Sequence, residues 1–441
     1  MTHVLNFMWM IFGVAEVLFF FAFANKNSKN WSEISDKKFV KNIFWFAFIV
    51  RIVWVAFSYF FYFARYNHPF EFEAADAIMY SEAGELGARM LRDGSFDISN
   101  FMPWMDVSDR GYPFYLSIIY YLTNDSIFIA RLLKAIISAF TCILIYKLAS
   151  RTFNAQVGRL AAVLCAVMPN LIYYCGIHLK ETEMTFLIVL YLERADYVIR
   201  SKNYNVINIA LPVLAAGSLF FFRTVIGVTA LFSFFTSLMF TSSKVLGMGK
   251  RTILIVWGLV ALSYFVGGKI ATEIEQVWED RSGNQSQSME YRANMKGGNQ
   301  FVKYATGAVF APMIFVIPFP TMVETPGQEN QKLIHGGNYV KNIMAFFTMF
   351  ALFLIIKDGK WREYTLTGSF MIGYLIVIAL SKFAASERFH LPVLPLILMY
   401  AAYGISQVTN KTKRYFTFYM VFLFVALLGW SWFKLAGRGA I

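Results

Sequence analysis

Asp76 lies in an acidic and polar stretch, residues 70–109, that interrupts an otherwise apolar sequence. Between residues 73 and 92 the spacing predicts an amphipathic helix lying along a bilayer surface, with Ala75, Met79, Ala83, Leu86 and Met90 on one side. At about 100° per residue, Glu82, Glu85, Arg89 and Arg92 fall on another side, where Glu85 and Arg89 are spaced to pair. Asp76 has Met79 three positions on and Tyr80 four on, so no such partner is available, and it borders the apolar side near Ala83 and Gly87. A carboxylate in that setting has its protonated form favoured, which suits a general base. The same residue also fits a second reading, a solvated acid in the first turn of a helix.

Other ionisable residues allow similar pairs of readings. Arg223 falls in a very short turn between two apolar runs, and Arg388 and His390 stand at the start of another. Such groups on one face could clamp an anionic phosphate, since a guanidinium fork suits phosphate oxygens; arginines at helix ends also simply snorkel. His178, Lys180 and Glu181 cluster just after a long apolar run ends at Gly176, either as site groups or as interface anchors. Glu16 and Arg51 lie about midway along the first two apolar runs, which predicts an ion pair between adjacent helices. Cys142, Cys165 and Cys175 match no metal spacing and read as small apolar residues. Neither a glycine-rich phosphate loop nor an HExxH or Ser/His/Asp signature is present, which disfavours a soluble nucleotide-driven enzyme.

The elements that must position these residues are membrane helices. A composition with 58% hydrophobic residues, 47 Phe and a mean hydropathy of +0.51 excludes a soluble globule. Runs able to cross about 30 Å of hydrocarbon fall near 4–24, 40–64, 127–149, 156–174, 182–199, 205–222, 224–241, 252–268, 338–356, 363–381, 389–407 and 415–435. The first has no basic start or cleavage site and reads as retained. The net charge of +13 does not point to nucleic acid, because the cations alternate from loop to loop. Lys37, Lys38 and Lys41, then Lys147 and Arg151, then Arg200 and Lys202, then Lys357, Lys360 and Arg362 mark the cytoplasmic loops. The stretches 65–109 and 269–337, and both chain ends, therefore face outward. The run 302–320 carries Pro312, Pro318 and Pro320 and would invert that order if it crossed, so it reads as re-entrant or surface-lying. The run 111–121 is too short to span and reads as a second surface helix beside Asp76.

Several stretches carry a resemblance. Asp76-Ala-Ile-Met-Tyr80 in an early outer loop, Ala130-Arg-Leu-Leu-Lys-Ala-Ile-Ile-Ser-Ala, Met168-Pro-Asn-Leu-Ile-Tyr-Tyr leading to Lys180-Glu181, and Glu387-Arg-Phe-His-Leu-Pro-Val-Leu-Pro395 resemble polyprenyl-phosphate-dependent glycosyltransferases of the GT-C fold. Within that fold the sequence is similar to glycosyltransferase family 39, the dolichyl-phosphate-mannose protein mannosyltransferase type and its bacterial relatives. The resemblance implies an all-α polytopic GT-C-like bundle, here with about twelve transmembrane helices and amphipathic surface helices in the first large outer loop. It implies a polyprenyl-phosphate sugar donor, a glycan, lipid or protein acceptor, no cofactor, and a reaction on the outer face of a membrane such as the bacterial inner membrane. Asp76 would be the general base, with Tyr80, His178, Lys180, Glu181, Arg223, Arg388 and His390 binding substrate. Related proteins often carry a second acid directly after the first; here that position is Ala77.

The implied organisation is an extra helix and basic loop over 1–39, a catalytic module over 40–268 with outer loop 65–126, an outer loop over 269–337, and closing helices over 338–441. Metal dependence is left open by the thin His178/Glu181 pair. The polar segment 273–300 reads as a cover over the site or as a connector. Two other classes compete. A polysaccharide polymerase or ligase would depend on arginines in a large late loop, where 269–337 offers only Arg281 and Arg292. A lipid-linked sugar flippase would need broken helices and charges near mid-membrane.

Overall fold

A computed structural model describes residues 2–71, 74–97, 101–201, 205–240, 311–321, 332–380 and 386–436. Its described elements are helical: α1 (Thr2–Asn30), α2 (Asp36–Tyr66), α3 (Ala75–Arg92), α4 (Val107–Thr123), α5 (Ile127–Thr152), α6 (Ala155–Val167), α7 (Pro169–Tyr173), α8 (Glu181–Ser201), α9 (Val206–Phe222), α10 (Thr224–Phe240), α11 (His335–Lys357), α12 (Thr365–Leu380), α13 (Glu387–His390), α14 (Leu394–Ser406) and α15 (Asn410–Ala436). Seven of the described helical stretches are long and apolar enough to cross a membrane, while α6, α9 and α10 are apolar but shorter. The expected crossing over 252–268, the possible cover over 273–300 and most of the run 302–320 lie outside the described residues.

The chain divides into two compact units. One is Gly13–Ala230 with Glu329–Ile334; the other comprises Met1–Phe12, Leu231–Gln328 and His335–Ile441. In the first unit α5 is the central helix, packed on α2, α6 and α8, while α4 lies between α3 and α9. Local chemistry sets the boundaries. Ser126 caps α5 by accepting from the Ile129 N–H, and Asn154 caps α6 by accepting from the Val157 N–H. Asn67 and Asn124 end α2 and α4 in the left-handed conformation that asparagine tolerates.

α3 forms where the periodicity places it, but it packs on a different face. Ala77, Tyr80, Ser81, Ala83, Gly84, Gly87 and Ala88 are buried, whereas Ala75 and Met79 are exposed. Small residues let α3 close on α4: a Cβ on Gly87 would stand 2.1 Å from Ser117 Oγ. Ala77 is fully buried, so a larger acid there would meet this packing. Glu85 and Arg89 form no ion pair; Arg92 instead grips Asp125 through Nη1 and Nη2, each at 3.0 Å.

The expected Glu16–Arg51 ion pair is absent. Arg51 is fully buried and donates to Ser138 Oγ at 2.7 Å, Ala166 O at 3.0 Å and Cys165 O at 3.1 Å. Those carbonyls belong to the last turn of α6, where Pro169 stops the helix and leaves acceptors unfilled. Arg51 fills them, which fixes the point at which the chain leaves α6 and turns towards α8.

Two polar layers mark opposite ends of the first unit's helices. Near the ends of α5 and α8, Arg151 Nε bonds Asp196 Oδ2 at 2.6 Å and Arg151 Nη2 bonds Glu193 Oε1 at 3.1 Å. Arg159 Nη2 reaches Asp36 Oδ1, in the first turn of α2, at 2.8 Å. The second layer surrounds Lys134, nearer the start of α5, about 25 Å from Arg151 at 1.5 Å per residue. That separation approaches the thickness of a bilayer's hydrocarbon core.

In the second unit α11 packs on α14. Within 311–321 a single 3-10 turn, Ala311–Met313, precedes irregular chain whose Ile314, Val316, Ile317 and Phe319 are buried. Lys341 of α11 donates to the Ile317 carbonyl, and Asn342 donates to the carbonyls of Val316 and Pro318. Side-chain donors thus replace the helical bonds that this proline-containing segment lacks.

Candidate functional site

The site grows from Asp109, in the first turn of α4. Its Oδ1 accepts from Tyr80 Oη at 3.0 Å and from Lys180 Nζ. Lys180 Nζ donates also to the Ser108 carbonyl at 3.1 Å and stands 5.7 Å from the centre of the Tyr80 ring. Lys180 is almost fully buried, whereas 31% of the Asp109 side chain is exposed. Burial pushes the Asp109 carboxyl up, but the Lys180 ammonium, the bond from Tyr80 and the nearby Arg223 charge outweigh it and hold it below the usual carboxylate range. Burial also lowers Lys180 to about 8, against the opposing pull of Asp109.

Lys134 builds the turn that carries Lys180. Fully buried on α5, its Nζ donates to Ile177 O at 2.9 Å and to Leu179 O, the carbonyls on either side of His178. Glu183 Oε2 lies 3.6 Å away and balances its charge, and the Tyr112 ring centre is 5.4 Å from it. His178 is buried, with Nε2 2.9 Å from Tyr120 Oη, which lies 2.9 Å from Ser81 Oγ. Burial, reinforced by the charges of Arg131 and Lys134, drives the imidazole well below its ordinary pKa, so it is neutral at pH 7. Arg131, fully buried at the start of α5, lies about 6 Å from the ring centres of Tyr59 and Phe70, with no hydrogen bond to its three side-chain nitrogens.

Of the residues singled out from sequence, Tyr80, His178, Lys180, Glu181 and Arg223 are gathered in this unit. Glu181 Oε1 is 3.7 Å from Arg223 Nη2 at the α9–α10 junction, and the Arg223 charge reaches both Asp109 and Lys180. Asp76 is exposed on α3, one turn before Tyr80. It is not the partnerless carboxylate its helical neighbours suggest, because it has an interaction of its own. Arg388 and His390 belong to the second unit, where His390 Nδ1 is 3.0 Å from Lys341 Nζ.

His178 faces Tyr120 while Glu181 faces Arg223, and among the described residues no three His, Cys, Asp or Glu side chains converge as metal ligands. Sequence reasoning gave no site role to Asp109, Lys134, Glu183, Tyr112, Tyr120 or Lys341, although Lys134 lies in a stretch that carries the family resemblance. A signal existed for two of them: Arg131 and Lys134 are cations three apart at the start of an apolar run, and Asp109 opens a helix too short to span.

Comparison with known proteins bears on the same region. Residues 111–267 match the dolichyl-phosphate-mannose-protein mannosyltransferase family. The match takes in most of α4 and all of α5 to α10, so it includes Lys134, His178, Lys180, Glu181, Glu183 and Arg223. Together with the seven long apolar helices among the described residues, the match supports a helical, polytopic membrane protein of GT-C type and a membrane glycosyltransferase. No curated protein matches the chain.

Proposed function

We propose that this protein transfers a sugar from a polyprenyl-phosphate donor to an acceptor hydroxyl on the non-cytoplasmic face, with Asp76 as general base. Asp76 removes the acceptor's proton as the acceptor oxygen bonds to the anomeric carbon and the carbon–oxygen bond to the lipid phosphate breaks. Lys180 and Arg223 supply positive potential for the departing phosphate. Tyr80, His178 and Glu181 complete the substrate-binding surface. The donor brings its own leaving group, so no nucleotide or cofactor enters the step.

One observation carries this reading. Tyr80, one turn from Asp76, is bonded to the Asp109–Lys180 pair at the end of the first unit opposite its Arg151 and Arg159 layer. With the lysine-rich loops cytoplasmic, the Asp76 end faces outward. Membranes carrying the protein, incubated with a panel of radiolabelled polyprenyl-phosphate sugars and quenched acceptor fractions, are expected to show transfer from at least one donor. Loss of label from no donor contradicts the reading.

A further inference from the structure

The two carboxylate oxygens of Asp109 are committed differently. Oδ1 takes both the Tyr80 hydroxyl, at 3.0 Å, and the Lys180 ammonium, while Oδ2 accepts no hydrogen bond from any described residue. The contrast in exposure has the same sense: Lys180 and Tyr80 are 2% exposed, and the Asp109 side chain is 31% exposed. The carboxylate is therefore fixed from the protein side and open on the other, as an acceptor that needs no rearrangement to be used.

The location relates it to the reacting atoms. Tyr80 follows Asp76 by one turn of α3, which puts their Cβ atoms about 5–6 Å apart. The first turn of α4 also favours negative charge through its unpaired N–H groups. A carboxylate kept ionised in this way is a weak proton acceptor and a strong hydrogen-bond acceptor, the reverse of what a general base requires.

We propose that Asp109 is a substrate-binding carboxylate: Tyr80 and Lys180 pin Oδ1, and Oδ2 accepts a hydrogen bond from a hydroxyl of the transferred sugar or of the acceptor. This rests on the transferase reading above. It assigns Lys180 a positioning role through Asp109 in addition to its charge.

The test is steady-state kinetics of the full-length protein in liposomes, with a short-chain polyprenyl-phosphate mannose as donor and a set of its single-deoxy analogues. Asp109→Asn is expected to raise one KM by about tenfold, the loss of one charge-assisted hydrogen bond. A rise confined to the donor, with one deoxy analogue no worse in Asp109→Asn than in wild type, assigns the bond to the transferred sugar. A rise confined to the acceptor assigns it there. If Asp109→Asn does not fold, Asp109→Glu, which keeps the ion pair but moves the free oxygen by one methylene, is expected to give the same pattern. Wild-type transfer with both KM values unchanged in the folded variant overturns the inference and leaves the transferase reading intact. No transfer by the wild type, from this donor or the wider panel, overturns both.

Discussion

Arg51 donates at 3.1 Å to the carbonyl of Cys165, whose helical donor would be the N–H of residue 169, a proline that has none. A cation in the middle of α2 thus completes the end of a different helix. Arg51→Met leaves the Cys165 and Ala166 carbonyls and Ser138 without their donor in a buried setting, at a cost of about 2 kcal/mol or more. Pro169→Ala restores an N–H at the break, so the double variant is expected to lose less than the sum of the single losses. Thermal unfolding in detergent checks both; strict additivity would separate the arginine from the proline.

Lys134 makes a second prediction. Removing its ammonium in Lys134→Met frees the Ile177 and Leu179 carbonyls and strands the buried Glu183 carboxylate, costing about 3–5 kcal/mol. Glu183→Gln on that background removes the stranded charge and is expected to recover part of the stability. Unfolding midpoints of the two variants decide this, and a double variant less stable than Lys134→Met contradicts it.

The pH dependence follows from Lys180. With its pKa lowered to about 8 by burial, the side chain is charged below that pH and neutral above it. The groups facing it are Asp109 on α4, Tyr80 on α3, Glu181 on α8 and Arg223 between α9 and α10. Transfer is expected to decline through a single ionisation near pH 8, and Lys180→Arg to move that limb to higher pH. The stability contribution runs the other way. The folded state releases this proton before the unfolded state does, so the contribution is present above the ordinary lysine pKa and is lost as pH falls through about 8. Initial rates between pH 6 and 10 test the activity limb; a flat wild-type profile contradicts it.

Much of the helical framework is readable from hydropathy alone, because α1, α2, α5, α11, α12, α14 and α15 are apolar runs bounded by polar turns. The packing face of α3 is not. In a membrane protein the large apolar residues of a surface helix, such as Met79, turn outward, while glycine and alanine pack against the neighbouring helix. The partner of Arg51 is invisible for another reason: periodicity sees side chains, and the acceptors here are carbonyls freed by Pro169. Asp109 and Lys180 are 71 positions apart, and only the crossing of α4 with the turn before α8 makes them a pair. Lys180 and Arg223, by contrast, stand out as cations at the ends of apolar runs, and the fold gathers them in one unit.

Asp76→Asn, reconstituted in liposomes with a polyprenyl-phosphate sugar donor, measures the role given to the carboxylate most directly. Sugar transfer is expected to be abolished while the variant still binds the donor. Transfer at the wild-type rate would contradict that role.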